Sequence, residues 1–333
     1  MSADDFATVP DYSQTTFGEP APPAPARPGP GFWAALGWTF LLAFALNVLS
    51  TGLFVVYMAW GIDLDDAIGV LFLCTTLATT SLAILISVLH FGHSTARRLG
   101  ICLPAVGHVA LVLLTIGPLA VVVQEIAAWA AEVLPSILDG QYSAFALQPW
   151  PLILFGGCVF PALGEEIFFR GFLGRGLLAR LGVWWGMLWT SVLFALIHID
   201  PPQVIGIVFV GLALHLIFLA TRSLWMPILL HFCNNALSFT LERAEIYSLD
   251  EHLPPLVVLC GAAALVPLAV LFWQSRANWI LPDGERWTPG YATTEVPPPE
   301  AQARRVIARP GLVWLLLAAV GQIGFWTMFV RSA

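Results

Sequence analysis

The chain has very little charge and no lysine. Only 11% of its 333 residues are charged, and all 14 basic residues are arginines. These arginines are too few and too scattered to form a phosphate-binding stripe, so we predict no nucleic-acid partner, and the net charge of -7 does not argue for one. The remaining composition, 58% hydrophobic residues with fourteen tryptophans, is typical of a polytopic membrane protein and not of a soluble domain.

The cysteines are isolated from one another. Cys74, Cys102, Cys158, Cys233 and Cys260 lie mostly in apolar runs, and no Cys-x-x-Cys pair occurs. We interpret them as small buried hydrophobic residues, because neither a disulfide framework nor a zinc site has this spacing.

The beginning of the chain lacks the basic start and the apolar centre of a signal peptide. Residues 1–31 mix acidic residues with a Pro/Ala run and are predicted to be a disordered cytoplasmic tail. Nine apolar segments long enough to span a bilayer follow, so we predict an all-α, polytopic transmembrane helical bundle. The predicted spans are 32–60, 67–89, 106–127, 151–169, 183–198, 203–220, 224–241, 256–273 and 312–330.

The connections between the spans alternate in charge. One set holds Arg97, Arg98, Arg175, Arg180, Arg222, Arg276, Arg286, Arg304, Arg305 and Arg309. The other set is acidic and contains Asp63, Asp65, Asp66, Glu132, Asp139, Asp200, Glu242, Glu245, Asp250 and Glu251, with Arg243 as its only base. Because arginine-rich loops stay in the cytoplasm, we predict a cytoplasmic N-terminus and a C-terminus on the other side.

This alternation divides the predicted chain into parts. Residues 32–274 form the transmembrane helical domain, 275–310 a cytoplasmic linker rich in Pro and Arg, and 311–333 an appended C-terminal transmembrane helix. The lysine-free composition, rich in Ala, Arg and Pro, indicates a bacterial source, and hence the inner (plasma) membrane.

Two acids and an arginine interrupt one apolar span, in the sequence Glu165-Glu166-x-x-x-Arg170. An ionised side chain costs several kcal/mol or more, roughly, in hydrocarbon, so such groups usually face a protein interior or a wet cavity and mark function. On a helix Glu166 and Arg170 are i,i+4 neighbours and can pair, whereas Glu165 points about 100° away. We therefore expect Glu165 to keep a free carboxylate.

Two further polar groups follow in later spans. Phe194-x-x-x-His198 lies near the end of one span, just before Asp200-Pro-Pro breaks the helix. His231-x-x-x-Asn235 lies early in another, where both side chains share a helical face. A carboxylate, two imidazoles and an amide can thus meet in one cavity.

Each polar residue also has a structural interpretation. A lone histidine in a helix is most often a packing residue, and His215, which has no motif around it, is interpreted in this way. Gln124 and Glu125 are similarly interpreted as a helix cap or as part of the acidic surface. Single polar residues of the three motifs could serve as interhelical hydrogen bonds, but a partly satisfied network would cost more than an apolar core.

The combination is suited to hydrolysis. A carboxylate beside imidazoles can take a proton from water, and an imidazole or amide can donate to an oxyanion formed at a carbonyl. Other known routes to intramembrane proteolysis are missing: the sequence has no Gly-x-Ser-Gly, no Gly-x-Gly-Asp and no His-Glu-x-x-His.

The three motifs, in this order on three spans, resemble those of the CPBP/Abi family of intramembrane proteases, which includes the type II CAAX prenyl endopeptidases. The resemblance covers a core at residues 151–241. It implies that Glu165 activates water with the help of His198, and that His231 and Asn235 bind the carbonyl oxygen of the tetrahedral intermediate. Glu166 and Arg170 would then shape and charge the pocket.

The resemblance leaves cofactor and substrate open. A glutamate and two histidines (Glu165, His198 and His231) could bind zinc with an open position, but we favour a metal-free glutamate mechanism because the three come from separate spans without local ligand spacing. The expected substrate is a peptide or lipidated peptide in the bilayer. A non-catalytic scaffold or immunity factor, or a proton-coupled transporter, are the alternatives, although the related halves typical of transporters are not found in the sequence.

A span ending near Arg170 would keep Glu165 and His198 apart, since the two ends lie near opposite membrane surfaces. We therefore expect the fourth helix to continue through Gly171 to Leu178, long and tilted. An interfacial belt of Trp184, Trp185 and Trp189 would then begin the fifth helix.

Overall fold

The computed structural model describes residues 29–92, 95–138, 140–244, 252–287 and 304–332, without the side chains of 64–66. The predicted tail therefore lies outside the described residues except for 29–31, and so does the part of the predicted linker from 288 to 303. Acidic loop residues that were also used to predict orientation lie outside as well: the side chains of Asp65 and Asp66, and all of Asp139, Glu245, Asp250 and Glu251.

Helices make up most of the described chain. They are α1 (Phe32–Ala59), α2 (Leu64–Phe91), α3 (Thr95–Leu99), α4 (Val106–Ala131), α5 (Gln141–Ala146), α6 (Trp150–Leu152), α7 (Phe160–Glu165), α8 (Gly174–Leu196), α9 (Pro201–Thr221), α10 (Trp225–Arg243), α11 (Pro255–Gln274) and α12 (Leu312–Ser332). Two π-helical segments, π1 (Ile153–Val159) and π2 (Glu166–Leu173), join α6 to α7 and α7 to α8. A bundle of apolar helices follows from runs that are too long and too apolar for a soluble domain.

Within the described ranges, seven helical stretches are long and apolar enough to cross a membrane. One of them is the 47-residue stretch Trp150–Leu196, and α10 is not among the seven. Gly182, with φ 78° and ψ 175°, breaks the long stretch by a conformation that glycine adopts without steric cost. The bundle architecture agrees with the prediction, whereas the number of nine spans stays a prediction.

The long helix explains how Glu165, in the fourth predicted span, comes close to His198, at the end of the fifth. Residues 150–181 are helical through both π segments up to Gly182. The expected continuation of the fourth helix through Gly171 to Leu178 is thus confirmed. The fifth helix then starts at Gly182 and ends at Leu196.

A small sheet departs from the all-α prediction. Strands β1 (Ala277–Ile280), β2 (Arg286–Trp287) and β3 (Arg304–Ile307) form an antiparallel sheet in the order β2-β1-β3. Trp279 pairs with Trp287 across the sheet, and Ala277 pairs with Ile307. Aromatic cross-strand pairs stabilise such short strands, and the surrounding Pro and Arg residues made this region resemble an unstructured linker.

Tight packing between α8 and α9 lets Arg170 reach the next helix. A Cβ added at Gly211 would lie 2.8 Å from the Cβ of Ser191, so the two backbones are close where they cross. Small residues at helix crossings allow this approach in membrane proteins. The main core beside the crossing is aromatic and fully buried, with Phe168, Phe169 and Phe194 at its centre.

Contacts gather the arginine-bearing connections at one end of the bundle, which we call the arginine-rich end. Arg175 donates to the carbonyl of Arg98, and Arg305 donates to the carbonyls of Leu103 and Thr221. The α12 helix starts at this end too, because Gly311 N donates to Gln274 Oε1 at 2.9 Å. The arginine-bearing loops, which are separated along the sequence, therefore lie close together in space.

The acidic connections meet at the opposite end, which we call the acidic end. Asp200 bonds to the loop at 136–138, Ser143 donates to Glu242, and His252 lies between Glu125 and Glu132. The two ends thus carry opposite charge, as the alternation of the loops predicts.

Candidate active site

The first motif lies where α7 passes into π2, near the middle of the long helix. Arg170 Nη1 donates to Glu166 Oε1 at 2.7 Å, and both side chains are completely buried. Arg170 Nη2 donates to the carbonyl of Gly211 at 3.0 Å, and its guanidinium carbon lies 4.3 Å from the centroid of the Phe194 ring. The predicted pairing of Glu166 with Arg170 is confirmed. The buried charge is stabilised by a carboxylate, a carbonyl and an aromatic face.

His231 connects the two acids of that motif. Its Nδ1 lies 3.0 Å from Glu166 Oε1, and its Nε2 lies 4.0 Å from Glu165 Oε2. Because a carboxylate paired with arginine only accepts hydrogen bonds, Nδ1 carries the proton, and Nε2 faces Glu165. Glu166 therefore serves Arg170 and His231 at once. The spacing of residues within a single span could not predict the contact between Glu166 and His231.

Glu165 has the more exposed side chain of the two. Its side chain is 21% exposed, whereas that of Glu166 is 0% exposed. The Oε2 atom of Glu165 is itself buried, and within the described part of the chain no hydrogen-bond partner reaches it. This matches the helical argument that left Glu165 with a free carboxylate next to a paired neighbour.

His198 approaches the same carboxylate from the turn that follows α8. It lies close enough to Glu165 and His231 to interact electrostatically with both, and its Nδ1 lies 3.3 Å from the carbonyl of Phe194. The Phe194 ring packs edge-on against both imidazoles, with centroid distances of 5.4 Å to His198 and 5.6 Å to His231. The predicted span 183–198 is two residues too long, because the helix ends at Leu196 and His198 lies in the following turn.

Asn235 has a contact that the sequence did not indicate. Its Nδ2 donates to the carbonyl of Gly157 in π1 at 3.0 Å. A π-helical segment leaves carbonyls in unusual positions, and such segments are frequent at functional sites. An amide nitrogen carries two hydrogens, so one N–H is engaged with Gly157 and the second is still able to donate to a substrate.

Asp200 anchors the turn that carries His198, a structural role that sequence reasoning missed. It is 2% exposed, and its Oδ1 accepts from Ser136 Oγ at 2.8 Å and from the backbone N–H groups of Ile137 at 2.8 Å and Leu138 at 3.3 Å. Asp200 N in turn donates to the carbonyl of His198 at 2.7 Å. The residue between them, Ile199, has φ 66°, a strained conformation for a β-branched side chain. The signal was present as an Asp before Pro-Pro, but it was interpreted only as a helix break and loop charge.

The remaining polar residues of the spans have structural surroundings. His215 is completely buried in α9, and its Cε1 lies 2.8 Å from the position of a Cβ added at Gly174. Glu125 accepts from the backbone N–H of Leu253 at 3.0 Å and lies 3.0 Å from His252 Nδ1. The contacts of Glu125 agree with its structural interpretation. Both ring nitrogens of His215, however, are buried without a hydrogen-bond partner among the described residues, so its interpretation as a packing residue stays a prediction.

Among the described residues no group of three or more His, Cys, Asp or Glu is placed to hold a metal ion. His231 offers Nε2 while a carboxylate holds its Nδ1, an orientation that metal-binding histidines share. The favoured metal-free mechanism and the zinc alternative, with Glu165, His198 and His231 as ligands, both stay predictions, and no chemical step is assigned to a metal.

The site as a whole provides a partly exposed glutamate, two imidazoles beside it and a buried ion pair behind them. Such a set can remove a proton from water and donate hydrogen bonds to a developing oxyanion.

Comparison with known proteins supports a peptidase. Residues 147–237 match the family model described as "Type II CAAX prenyl endopeptidase Rce1-like", which confirms the resemblance seen in the three motifs. No curated protein and no solved structure matches the chain. The matched family is a protease family, and seven apolar helical stretches among the described residues show that the chain is an integral membrane protein.

Proposed function

We propose that this protein is an intramembrane endopeptidase of the CAAX type, in which Glu165 activates water to hydrolyse a peptide bond of a membrane-associated substrate. The observation that carries the proposal is the arrangement of Glu165 beside His231, whose other nitrogen is held by Glu166 and, through it, by Arg170. The matched segment 147–237 contains all of these residues.

In the proposed reaction, Glu165 takes one proton from water while the water oxygen attacks the carbonyl carbon. The carbonyl π electrons move to oxygen and form an oxyanion. When this intermediate collapses, the C–N bond breaks and the leaving amine receives the proton that Glu165 took. The products are a carboxylic acid and an amine, and no oxidant, reductant or second substrate is needed.

The other residues support this step. His198, close to Glu165, helps to orient the water, and Asn235 donates to the oxyanion with its second amide N–H. His231, which Glu166 holds at Nδ1, lies beside Glu165 with Nε2 toward the reacting carbonyl and binds the oxyanion together with Asn235. Glu166 and Arg170 hold His231 in place, and their charges are already paired before the substrate arrives.

The zinc-dependent version of the same protease is the alternative within this reaction class. Outside that class, a scaffold would keep its function without an intact Glu165, and a proton-coupled transporter would lose proton flux.

The test compares the wild-type protein with Glu165→Gln, which keeps the shape of the side chain and removes its basicity. Membrane-peptide fragments are measured in cells that express each variant at equal level. We expect processing to disappear in Glu165→Gln and to persist in the matched control Glu132→Gln, which changes an exposed glutamate away from the site. Unchanged fragments in a folded Glu165→Gln protein would refute the proposal.

A further inference from the structure

The first helix carries two polar side chains on its outer surface, at the depth of the hydrocarbon. Asn47 and Thr51 are both exposed and lie one turn apart, at i,i+4, so they share a face of α1. Asn47 comes fifteen positions after Phe32 and twelve before Ala59, which places it about 22 and 18 Å from the two ends of the helix. Because the hydrocarbon core is about 30 Å thick, Asn47 lies inside it.

The face with these two residues points away from the bundle. The buried residues of α1 are Ala35, Thr39 and Leu42, which lie on one side of the helix. Successive residues are about 100° apart around a helix, so Asn47 points roughly 110° away from that side and Thr51 roughly 150° away. In a single copy of the protein both polar side chains therefore face lipid.

The helix that carries Asn47 cannot satisfy this side chain. Nδ2 of Asn47 donates to the carbonyl of Ala43 at 2.8 Å, one turn back in α1. An exposed hydroxyl uses its single hydrogen in the same way, as Ser81 does with the carbonyl of Leu77 at 2.8 Å. An amide also has an oxygen acceptor and a second N–H, and the N–H groups inside a helix are already bonded. Lipid tails offer no hydrogen bond, so the Asn47 amide needs a partner on another transmembrane helix.

We infer that α1 is the contact surface between two copies of this chain, with the Asn47 side chain of each copy hydrogen-bonded to that of the other. Two copies inserted in the same orientation are related by a two-fold axis along the membrane normal, so each residue of α1 meets its equivalent at the same depth. An amide suits such an axis because it offers both a donor and an acceptor to an identical group. Thr51 adds a hydroxyl one turn away on the same face.

Polar side chains of this kind hold transmembrane helices together by hydrogen bonds across the contact. The α1 helix lies outside the matched segment 147–237. The dimer is therefore independent of the proposed function, and neither fails with the other.

Association of the full chain in lipid vesicles tests the dimer. The protein, with one fluorophore per chain, is reconstituted in phosphatidylethanolamine and phosphatidylglycerol, and photobleaching steps are counted at increasing protein-to-lipid ratios. We expect dimers for the wild type. Asn47→Leu should raise the dissociation constant about five- to thirtyfold, the effect of one interhelical hydrogen bond. The matched control Thr240→Val removes an exposed hydroxyl that bonds to Ala236 within α10, and it should leave the constant unchanged.

Cysteine cross-linking in the cell membrane tests which face of α1 is used. The five native cysteines are replaced by Ser or Ala, and either Phe54→Cys or Val56→Cys is introduced. Both residues are exposed; Phe54 lies about 20° from Asn47 around the helix, whereas Val56 lies about 180° away. After oxidation with copper phenanthroline, we expect Phe54→Cys to give a product of twice the mass of the chain and Val56→Cys to give none.

Several results would overturn the inference. They are a wild-type protein that stays monomeric at every ratio, an Asn47→Leu variant that associates as the wild type does, and equal cross-linking from Phe54→Cys and Val56→Cys. A Phe54→Cys product of any other mass would assign the face to a different membrane protein and would overturn it as well. Misfolding does not explain a loss of association in Asn47→Leu, because leucine is more favourable than asparagine in hydrocarbon.

Discussion

Replacing Arg170 by leucine removes the most deeply buried charge of the site. The substitution removes the arginine donors of the Glu166 carboxylate and of the Gly211 carbonyl, at 2.7 and 3.0 Å in the native structure, and leaves Glu166 with His231 alone. It also removes the cation–π contact with Phe194 at 4.3 Å. Arg170→Leu therefore creates an uncompensated buried carboxylate, which is one of the larger single effects expected in a folded protein.

The magnitude follows from these contacts. A hydrogen bond to a charged group contributes about 1.5–3 kcal/mol, and a desolvated cation–π contact adds about 2 kcal/mol. Because loss of one partner of a buried ion pair costs about 3–5 kcal/mol, we expect a loss of that size for Arg170→Leu. This corresponds to a decrease of about a hundredfold to several thousandfold in the folding equilibrium constant.

The assay is unfolding in detergent micelles with an increasing fraction of sodium dodecyl sulfate, followed by circular dichroism. The double variant Arg170→Leu/Glu166→Gln removes the unpaired charge and keeps an acceptor for His231, so it should recover about half of the loss. Arg180→Leu, at an exposed arginine, is the matched control and should cost less than about 1 kcal/mol. A loss below about 1 kcal/mol for Arg170→Leu, or a double variant less stable than the single one, would show that the pair is not coupled as described.

Three other predictions concern Asp200, His252 and the dependence of processing on a metal. Asp200→Ala removes the acceptor of three hydrogen bonds, so it should lower the free energy of unfolding by about 2–4 kcal/mol and speed hydrogen exchange at the amides of Ile137 and Leu138. Asp200→Asn should have a milder effect. Unchanged exchange in Asp200→Ala would contradict this prediction. Hydrogen bonds to Glu125 and Glu132 raise the pKa of His252, so its stabilisation is complete below the ordinary histidine pKa and is lost as pH rises through the raised value. The Tm difference between wild type and His252→Gln should therefore shrink as the pH rises above the ordinary histidine pKa of about 6.5, and a difference independent of pH would argue against the interaction. Finally, the metal-free proposal expects processing to survive chelation, and stoichiometric zinc that is required for turnover would replace it by the zinc-dependent mechanism.

The sequence predicts well those features of the structure that depend on residues close together in the chain. The predicted spans 106–127 and 312–330 correspond to α4 (Val106–Ala131) and α12 (Leu312–Ser332), because hydrophobic length alone determines where such helices lie. The Glu166–Arg170 pair was also predictable, since i,i+4 neighbours meet on any regular helix.

The features that were missed depend on contacts between distant parts of the chain. His231 and Glu166 are 65 positions apart, and their contact at 3.0 Å results from the packing of α10 on π2, which no single span encodes. The same holds for Asp200, whose partners lie more than sixty positions earlier in the loop after α4. The sheet was missed because β1 and β3 are separated by residues rich in Pro, which hide short strands that pair at long range.

The bond from Arg170 to Gly211 has a consequence for how the protein is made. As the helices enter the membrane in order, the one with Glu166 and Arg170 arrives before α9 supplies the carbonyl of Gly211 and before α10 supplies His231. Until then the two charges have only each other in a medium that penalises them. Completion of the candidate site and relief of that penalty therefore both depend on the docking of the later helices, and a chain truncated before α10 carries the acid without its histidine.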